Sequence, residues 1–271
     1  MSILDDICAR RRTSVARRRA AVPRHALPAP PASAPPSLSA SLRNAAAGGV
    51  AVIAEHKRRA PSSGPLGTPA TLAEVVAGYA AAGAAGLSVL TEAEHFDGSL
   101  TDLDEARRHT SLPLLRKDFT VDAYQLHEAR AHGASAVLLI AAALSLGEAR
   151  RFRELAGELG LEVVLELHDP SELDYLAVAP EIVGVNNRNL ATMRVDLAAG
   201  EALFAQLPTD GPVRISESGI HGPADAARML GAGYEGLLIG TQFMRTPDPG
   251  AALTDFLAGT RRLLTVETDA P

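Results

Sequence analysis

Eight short apolar segments of this chain end in polar or charged residues, and a segment with helical periodicity follows each of them. The apolar segments cover residues 50–55, 86–91, 112–116, 136–140, 162–166, 182–186, 213–216 and 236–239. Such regular alternation predicts βαβ units and a parallel sheet. Because charged groups are costly to bury without partners, polar residues at successive strand ends indicate one shared, solvated pocket. Eight strands with this arrangement predict an α/β fold, the (β/α)8 barrel, whose active site lies where the strands end.

An open, doubly wound sheet is the alternative architecture. It usually carries a Gly-rich turn after its first strand. Here that strand is followed by residues 57–61, whose sequence is Lys-Arg-Arg-Ala-Pro. Polar residues at six or more strand ends also suit a ring of strands better than a single crevice.

The first 49 residues differ from the rest, and we predict that residues 1–49 form a helical, proline-rich extension to a barrel over residues 50–271. Apolar residues within residues 3–8, followed by clustered arginines, predict an amphipathic and solvated helix. Residues 23–36 are rich in Pro, Ala and Ser, which is typical of a linker or loop.

Composition excludes several classes of function. The formal net charge is −6 and the barrel region carries no basic stripe, so we expect no nucleic-acid partner. The only cysteine, Cys8, has no partner for an internal disulfide, and no Cys/His cluster has metal-ligand spacing, so we expect no metal. No apolar run approaches the roughly 18 residues of a membrane span, and the N-terminus lacks a signal-peptide core. We therefore expect a cytoplasmic protein that does not contact a membrane.

The ends of the last two strands predict a phosphate site. Ser218 and Gly219 follow the seventh strand, and Gly240 and Thr241 follow the eighth. Barrel enzymes often bind phosphate at this place, and a short helix beginning near Thr241 directs its positive end at an anion. The alternative is that these glycines only serve the turns.

Cations end three of the other strands. Lys57, Lys117 and Arg188 would repel one another in one pocket unless anions such as Glu55, Glu166 or an anionic substrate lie among them. A lysine whose pKa is lowered by neighbouring cations can act as a general acid near neutral pH. The alternative for Lys117 is a solvated helix entrance.

Two further polar residues fall at strand ends. Strand alternation places Glu166 inward with Val164, and a buried carboxylate with a raised pKa exchanges protons near pH 7. An ion pair with a lysine is the structural alternative for Glu166. Asn186 orients either substrate or a catalytic side chain, or it bonds between strands.

Two phenylalanines, Phe96 and Phe119, fall in loops over the predicted pocket mouth. Aromatic side chains there indicate that a flat apolar ring is held, with simple loop packing as the alternative. His95 and His168 also fall near these loops, and we expect them to support the reacting groups at most.

The ordered motifs of the chain resemble those of the indole-3-glycerol-phosphate synthase family, from Val50 to the last helix. They occupy residues 54–57, 61–62, 88–92, 96–99, 115–119, 124–125, 166–169, 184–190, 216–220 and 239–240. Members of this family close the indole ring of 1-(2-carboxyphenylamino)-1-deoxyribulose 5-phosphate, with loss of carbon dioxide and water, to give indole-3-glycerol phosphate. The family also has an N-terminal helical extension over the site.

The resemblance implies a catalytic set. Lys117 is then the general acid that protonates the sugar carbonyl, and Glu166 the acid/base of the dehydration. Glu55 and Asn186 position the groups around them, and Lys57 holds an anionic part of the substrate.

The resemblance also implies the residues that bind the substrate. Arg188 holds an anionic group, while the anthranilate ring lies against Phe96, Phe119, Leu138 and Leu190. The phosphate lies at the two glycine turns described above. The substrate is an anionic phosphosugar, the chemistry needs no metal or organic cofactor, and we expect a monomer or weak homodimer.

Two residues depart from the family pattern. His56 replaces an apolar residue and should point outward from the barrel, where an unpaired imidazole is costly. Ala60 replaces a serine near the substrate. They leave open a paralogue that acts on a substituted anthranilate derivative. A catalytically silent barrel that binds a phosphate ligand is a further alternative, opposed by the presence of Lys117, Glu166 and Glu55 together.

Overall fold

The computed structural model describes residues 3–60, 64–189 and 192–268. All eight predicted strands are present, each with bounds within two residues of the predicted ones. They are β1 (Val52–His56), β4 (Gly86–Leu90), β5 (Leu114–Lys117), β6 (Ala136–Ile140), β7 (Glu162–Leu167), β8 (Ile182–Asn186), β9 (Val213–Glu217) and β10 (Gly236–Ile239). A short antiparallel pair that we did not predict, β2 (Arg59–Ala60) and β3 (Gly64–Pro65), follows β1.

The eight strands close into a barrel. Their order around the ring is β1, β10, β9, β8, β7, β6, β5 and β4, and β4 pairs again with β1. Every neighbouring pair is parallel. The (β/α)8 prediction is confirmed, and the open sheet is excluded because the ring has no free edge.

Helices alternate with the strands as predicted. The α-helices are α1 (Ile3–Ala21), α2 (Leu38–Ala47), α3 (Leu72–Ala82), α4 (Ala93–Phe96), α5 (Leu100–His109), α6 (Tyr124–Ala131), α7 (Leu146–Glu158), α8 (Leu197–Phe204), α9 (Pro223–Gly231), α10 (Thr241–Met244) and α11 (Pro249–Thr268). Three 3₁₀ helices cover Arg24–Ala26, Ala141–Ala143 and Pro170–Val178. None of the helices in the described ranges is long and apolar enough to cross a membrane.

Helix α2 closes the barrel at the amino ends of the strands. Leu38 and Leu42 are fully buried there in one cluster with the interior side chains of the barrel. A Cβ at Gly236 would lie 3.1 Å from Leu42, and one at Gly86 would meet Leu38. Strands β4 and β10 therefore begin with glycine, because the side chains of Leu38 and Leu42 occupy the space that a Cβ would need there.

Helix α1 lies at the other end of the barrel, against the loop that follows β5. Arg11 forms a buried ion pair with Asp118, and Arg18 donates to Glu128 at 2.8 Å. Val15 of the same helix is fully buried. The predicted amphipathic helix is present and one of its faces is exposed to solvent. Its composition did not predict that the other face packs on the barrel, where Arg11 and Arg18 meet carboxylates.

Candidate active site

The carboxyl ends of the strands surround a cavity of about 290 Å³. Thirteen of the fourteen predicted site residues line it: Glu55, Lys57, Phe96, Lys117, Phe119, Leu138, Glu166, Asn186, Arg188, Ser218, Gly219, Gly240 and Thr241. The fourteenth, Leu190, lies outside the described residues. Eight of these residues lie in a strand or directly after one, so strand direction alone brings them together.

Lys117, the last residue of β5, lies among carboxylates. Its Nζ is 3.0 Å from Oε2 of Glu166 and 3.5 Å from Oε2 of Glu217, and its side chain is 16% exposed. Burial alone lowers the pKa of Lys117, but Glu166, Glu217 and Glu55 raise it well above its ordinary value. The expectation of a lowered pKa is therefore wrong, because the charges nearest to this lysine are negative.

Glu166 is the inward carboxylate of β7, as its place in the strand predicted. Burial acts to raise its pKa, but Lys117, His168 and Asn186 together hold the pKa of Glu166 below its ordinary range. The expectation of a raised pKa is wrong for this residue. The ion pair with Lys117 is present, and it leaves Glu166 ionised and able to act as a base.

The carboxyl group with a raised pKa is Glu217, which we did not select from the sequence. It ends β9 and is buried, and burial raises its pKa to about 7 against the attraction of Lys117, with Glu166 and Glu55 adding repulsion. Its Oε1 has no hydrogen-bond partner in the part of the chain that the structure describes. A Cβ at Gly184 would collide with that oxygen. Strand alternation, which placed Glu166 inward, would have found Glu217 as well.

Glu55 and Lys57 form a second ion pair at the end of β1. The Nζ of Lys57 donates to Oε1 of Glu55 at 2.6 Å, and the hydroxyl of Ser88 donates to Oε2 at 3.0 Å. Burial acts to raise the pKa of Glu55, but Lys57 and Lys117 lower it. A Cβ at Gly240 would lie 2.8 Å from the Glu55 side chain, so this glycine lets β10 approach the carboxylate closely.

Asn186 orients Glu166. Its Nδ2 donates to Oε1 of Glu166 at 3.0 Å, while its Oδ1 accepts from the backbone N–H of Arg188 at 3.0 Å. Of the roles that the sequence left open, this geometry favours the orientation of a neighbouring side chain, the Glu166 carboxylate.

Apolar side chains form one wall of the cavity. The ring centroids of Phe96 and Phe119 lie 6.4 Å apart with an angle of 43° between the planes. Leu138 and, from α1, Leu4 and Ile7 also line the cavity, and Phe119 packs against the apolar clusters that contain Leu138 and Leu4. The wall suits a flat apolar ring. Helix α1 lies over the site, as the family resemblance implied, although Leu4 and Ile7 were not among the predicted site residues.

The turns after β9 and β10 form the opposite, polar end. Ser218 and Gly219 both have left-handed backbones, with φ of 67° and 78°. Helix α10 begins at Thr241, as predicted, directly after Gly240. His221, Gln242 and Arg245, which we did not predict, also line this end. The arrangement combines backbone N–H groups with a cation and suits an anion.

His56 lies outside this cavity and points away from it, as predicted. Its side chain is buried, and Nδ1 has no hydrogen-bond partner among the residues described. Burial, followed by the charge of Arg58, lowers the pKa of His56 to about 4. Ala60, in contrast, is 5% exposed and lines the cavity.

The family model and the named proteins that are similar to this chain all carry the same description. The family model described as indole-3-glycerol phosphate synthase matches residues 4–256. Proteins named indole-3-glycerol phosphate synthase include one from Bacteroides thetaiotaomicron, 48% identical over 76% of this chain and 79% of that protein. One from Rhodococcus opacus is 42% identical over 95% of both chains, and one from an Azoarcus species is 44% identical over 93% and 97%.

Solved structures repeat the architecture. The tryptophan synthase alpha chain from Legionella pneumophila superimposes with a TM-score of 0.63 at 15% identity, over 86% of this chain and 98% of that one. Thiamine phosphate pyrophosphorylase from Pyrococcus furiosus gives 0.61 at 16% identity, over 82% and 99%. At such identities the likeness concerns the fold alone.

Proposed function

The chain belongs to the indole-3-glycerol phosphate synthase family, carboxy-lyases of tryptophan biosynthesis, and we propose that its cavity performs that ring closure. The substrate is 1-(2-carboxyphenylamino)-1-deoxyribulose 5-phosphate, an anionic phosphosugar. The observation that carries the proposal is the position of Lys117, whose Nζ lies 3.0 Å from Glu166 between an apolar wall and an anion-binding end.

The substrate lies across the cavity in this proposal. Its aromatic ring packs against Phe96, Phe119 and Leu138, and its phosphate meets the turns at Gly219 and Gly240. The sugar carbonyl then comes near the ammonium group of Lys117. Arg188 and Lys57 hold the remaining anionic oxygens, among them the carboxylate that is lost.

Ring closure follows from this placement. The aromatic carbon that bears the carboxylate attacks the sugar carbonyl carbon, and Lys117 donates a proton to the carbonyl oxygen. Carbon dioxide leaves, and its bonding electrons return to the ring. The high pKa of Lys117 keeps its ammonium group charged until the carbonyl oxygen of the sugar becomes basic. Glu217, with a pKa of about 7 and 3.5 Å away, is placed to return a proton to Lys117.

Dehydration completes the indole. Lys117, once it has its proton back, protonates the new hydroxyl, which leaves as water, and Glu166, ionised in the resting site, removes a proton from the adjacent ring carbon, the former sugar carbon that is bonded to nitrogen. Glu55 and Asn186 hold Lys57 and Glu166 in place. The test is to supply the purified protein with the substrate and follow indole absorbance and carbon dioxide release, and the absence of both would refute the proposal.

A second function is favoured by one observation. Ala60 lines the cavity where the family pattern has a serine, so a substrate with an extra group on its aromatic ring has more room. A paralogue acting on such a derivative would use the same catalytic residues. A cytoplasmic location, a monomeric or weakly homodimeric state, and the lack of a nucleic-acid partner stay predictions.

A further inference from the structure

One buried histidine touches the base of the proposed reaction and has no part in the steps above. His168 follows β7 directly, and its side chain is 7% exposed. Its Nε2 lies 3.0 Å from Oε1 of Glu166, and its Nδ1 lies 3.7 Å from Oε2 of Glu172. The imidazole therefore lies between two carboxylates.

We propose that His168 is a positioning residue that, as an imidazolium, holds Glu166 as an oriented carboxylate throughout the reaction. This inference rests on the proposed function, since it concerns the base of that reaction. The Oε1 atom of Glu166 accepts a hydrogen bond from Asn186 at 3.0 Å, and Nε2 of His168 lies 3.0 Å from the same oxygen in an ion-pair contact that lacks hydrogen-bond geometry. The Oε2 atom faces Lys117. One oxygen is thus fixed by the protein, and the other is turned to the reacting groups.

The charge balance explains why a second cation is needed. Lys117 neutralises Glu166 in the resting site, but it loses its charge when it gives its proton to the substrate. A carboxylate left without a cation in a buried site gains a proton readily. It would then compete with the substrate for the proton of Lys117. An imidazolium that donates nothing to the substrate keeps Glu166 ionised until dehydration needs a base.

The surroundings of His168 support the charged form. Burial lowers the pKa of an imidazole, but Glu166 and Glu172 raise the pKa of His168 to about 9. Glu172 also accepts the backbone N–H of His168 at 2.7 Å, so the same carboxylate fixes the turn and the ring. The charge of His168 also acts on Glu217, whose pKa it lowers. Lys117, which contacts the other oxygen of Glu166, is the second cation that lowers the pKa of this carboxylate.

The test compares His168→Gln with a matched control. His132 is a partly buried histidine that contacts a carboxylate, Asp104, at 2.9 Å, and it does not line the cavity. We expect His168→Gln to lower kcat for the ring closure about tenfold or more, with KM within about twofold, because the lost charge acts after binding. His132→Gln should keep both constants. A kcat within twofold of the wild type in His168→Gln would overturn the proposal.

Two further measurements separate a positioning role from a folding defect. In the wild type, NMR of labelled histidine should show His168 protonated at pH 7.5, and a neutral ring would overturn the proposal. Glu172→Gln keeps the backbone acceptor and His168 itself, so kcat at pH 7.5 should stay near normal. In Glu172→Gln, the fall of kcat at alkaline pH should then begin about one pH unit lower than in the wild type. An unmoved limb would count against His168. A wild type without ring-closing activity would instead refute the proposed function.

Discussion

The Nζ of Lys117 lies 3.0 Å from Oε2 of Glu166, so the proposed acid and the proposed base form an ion pair before any substrate is present. Each group keeps the other ionised, which is the starting state that the reaction needs. Substrate must enter this pair to reach the proton. Residues that set the distance between Lys117 and Glu166 therefore affect kcat more than they affect substrate binding.

Replacement of Lys117 should remove the general acid. We expect Lys117→Ala to lower kcat at least about 100-fold, the low end of the contribution of a general acid. Steady-state assays of indole formation measure this change. Arg43→Ala, which removes an exposed cation at the opposite end of the barrel, is the control and should be unchanged. Turnover near normal in Lys117→Ala would remove this residue from its role.

Glu217 should make folding stability depend on pH. Its pKa is about 7 in the folded protein, above the ordinary value of 4.5. Its contribution to stability is therefore fully present below pH 4.5 and is lost as the pH rises through 7. We expect Glu217→Gln to raise Tm at pH 8 and to change it less at pH 5, as measured by calorimetry. Equal changes at both values would argue against a protonated Glu217.

His56 should make folding stability depend on pH in the direction opposite to that of Glu217. Its pKa falls from an ordinary 6.5 to about 4, so the stability that depends on the neutral ring is present above pH 6.5 and lost as the pH falls to 4. At pH 5 this pKa shift makes the folded protein less stable by about 2 kcal/mol than it is at a pH where the ring is neutral in both states.

His56→Leu should therefore stabilise the protein more at pH 5 than at pH 8, which denaturant unfolding at the two values measures. His109→Leu changes an exposed histidine and serves as the control. The same gain at both pH values in His56→Leu would mean that burial of apolar area, and not titration, sets the effect.

The phosphate end can be tested without touching the catalytic pair. Gly219 has φ of 78°, and a Cβ there would collide with Val195. Gly219→Ala should displace the turn and raise KM about tenfold, the effect of losing one or two hydrogen bonds to a charged group. Gly211→Ala alters another glycine of positive φ with open space around it, and KM should be normal. Crystals grown with sulfate should hold the ion against the N–H groups of Gly219 and Gly240.

Ala60 decides between the two proposed substrates. A restored serine adds one neutral hydrogen bond, which contributes about 0.5–1.5 kcal/mol and changes kcat/KM by tenfold at most. Ala60→Ser should raise kcat/KM for the unsubstituted substrate and leave a ring-substituted analogue unchanged or worse. If both substrates respond alike, the specialised paralogue loses its main support.

The position of the site residues could be predicted from the sequence, whereas their ionisation could not. Strand ends and the alternation of side chains place Glu55, Lys117 and Glu166 in one cavity, because both follow from the backbone alone. The pKa of Lys117 depends on which charges lie within about 4 Å, and that is fixed only when the ring closes. The docking of α1 depends on pairs such as Arg11 and Asp118, which lie far apart in sequence and leave no periodic signal.

The extension ties the two ends of the barrel to each other. Helix α1 supplies part of the cavity wall, α2 plugs the opposite mouth, and the chain between them runs along the outside, where Arg130 donates to the carbonyl of Pro31 at 2.9 Å. A protease that cuts once within residues 27–36 would leave each half anchored by its own contacts. The nicked enzyme should stay assembled and active. Chain continuity across that stretch then matters for how fast the two ends find their places during folding, and much less for holding them there afterwards.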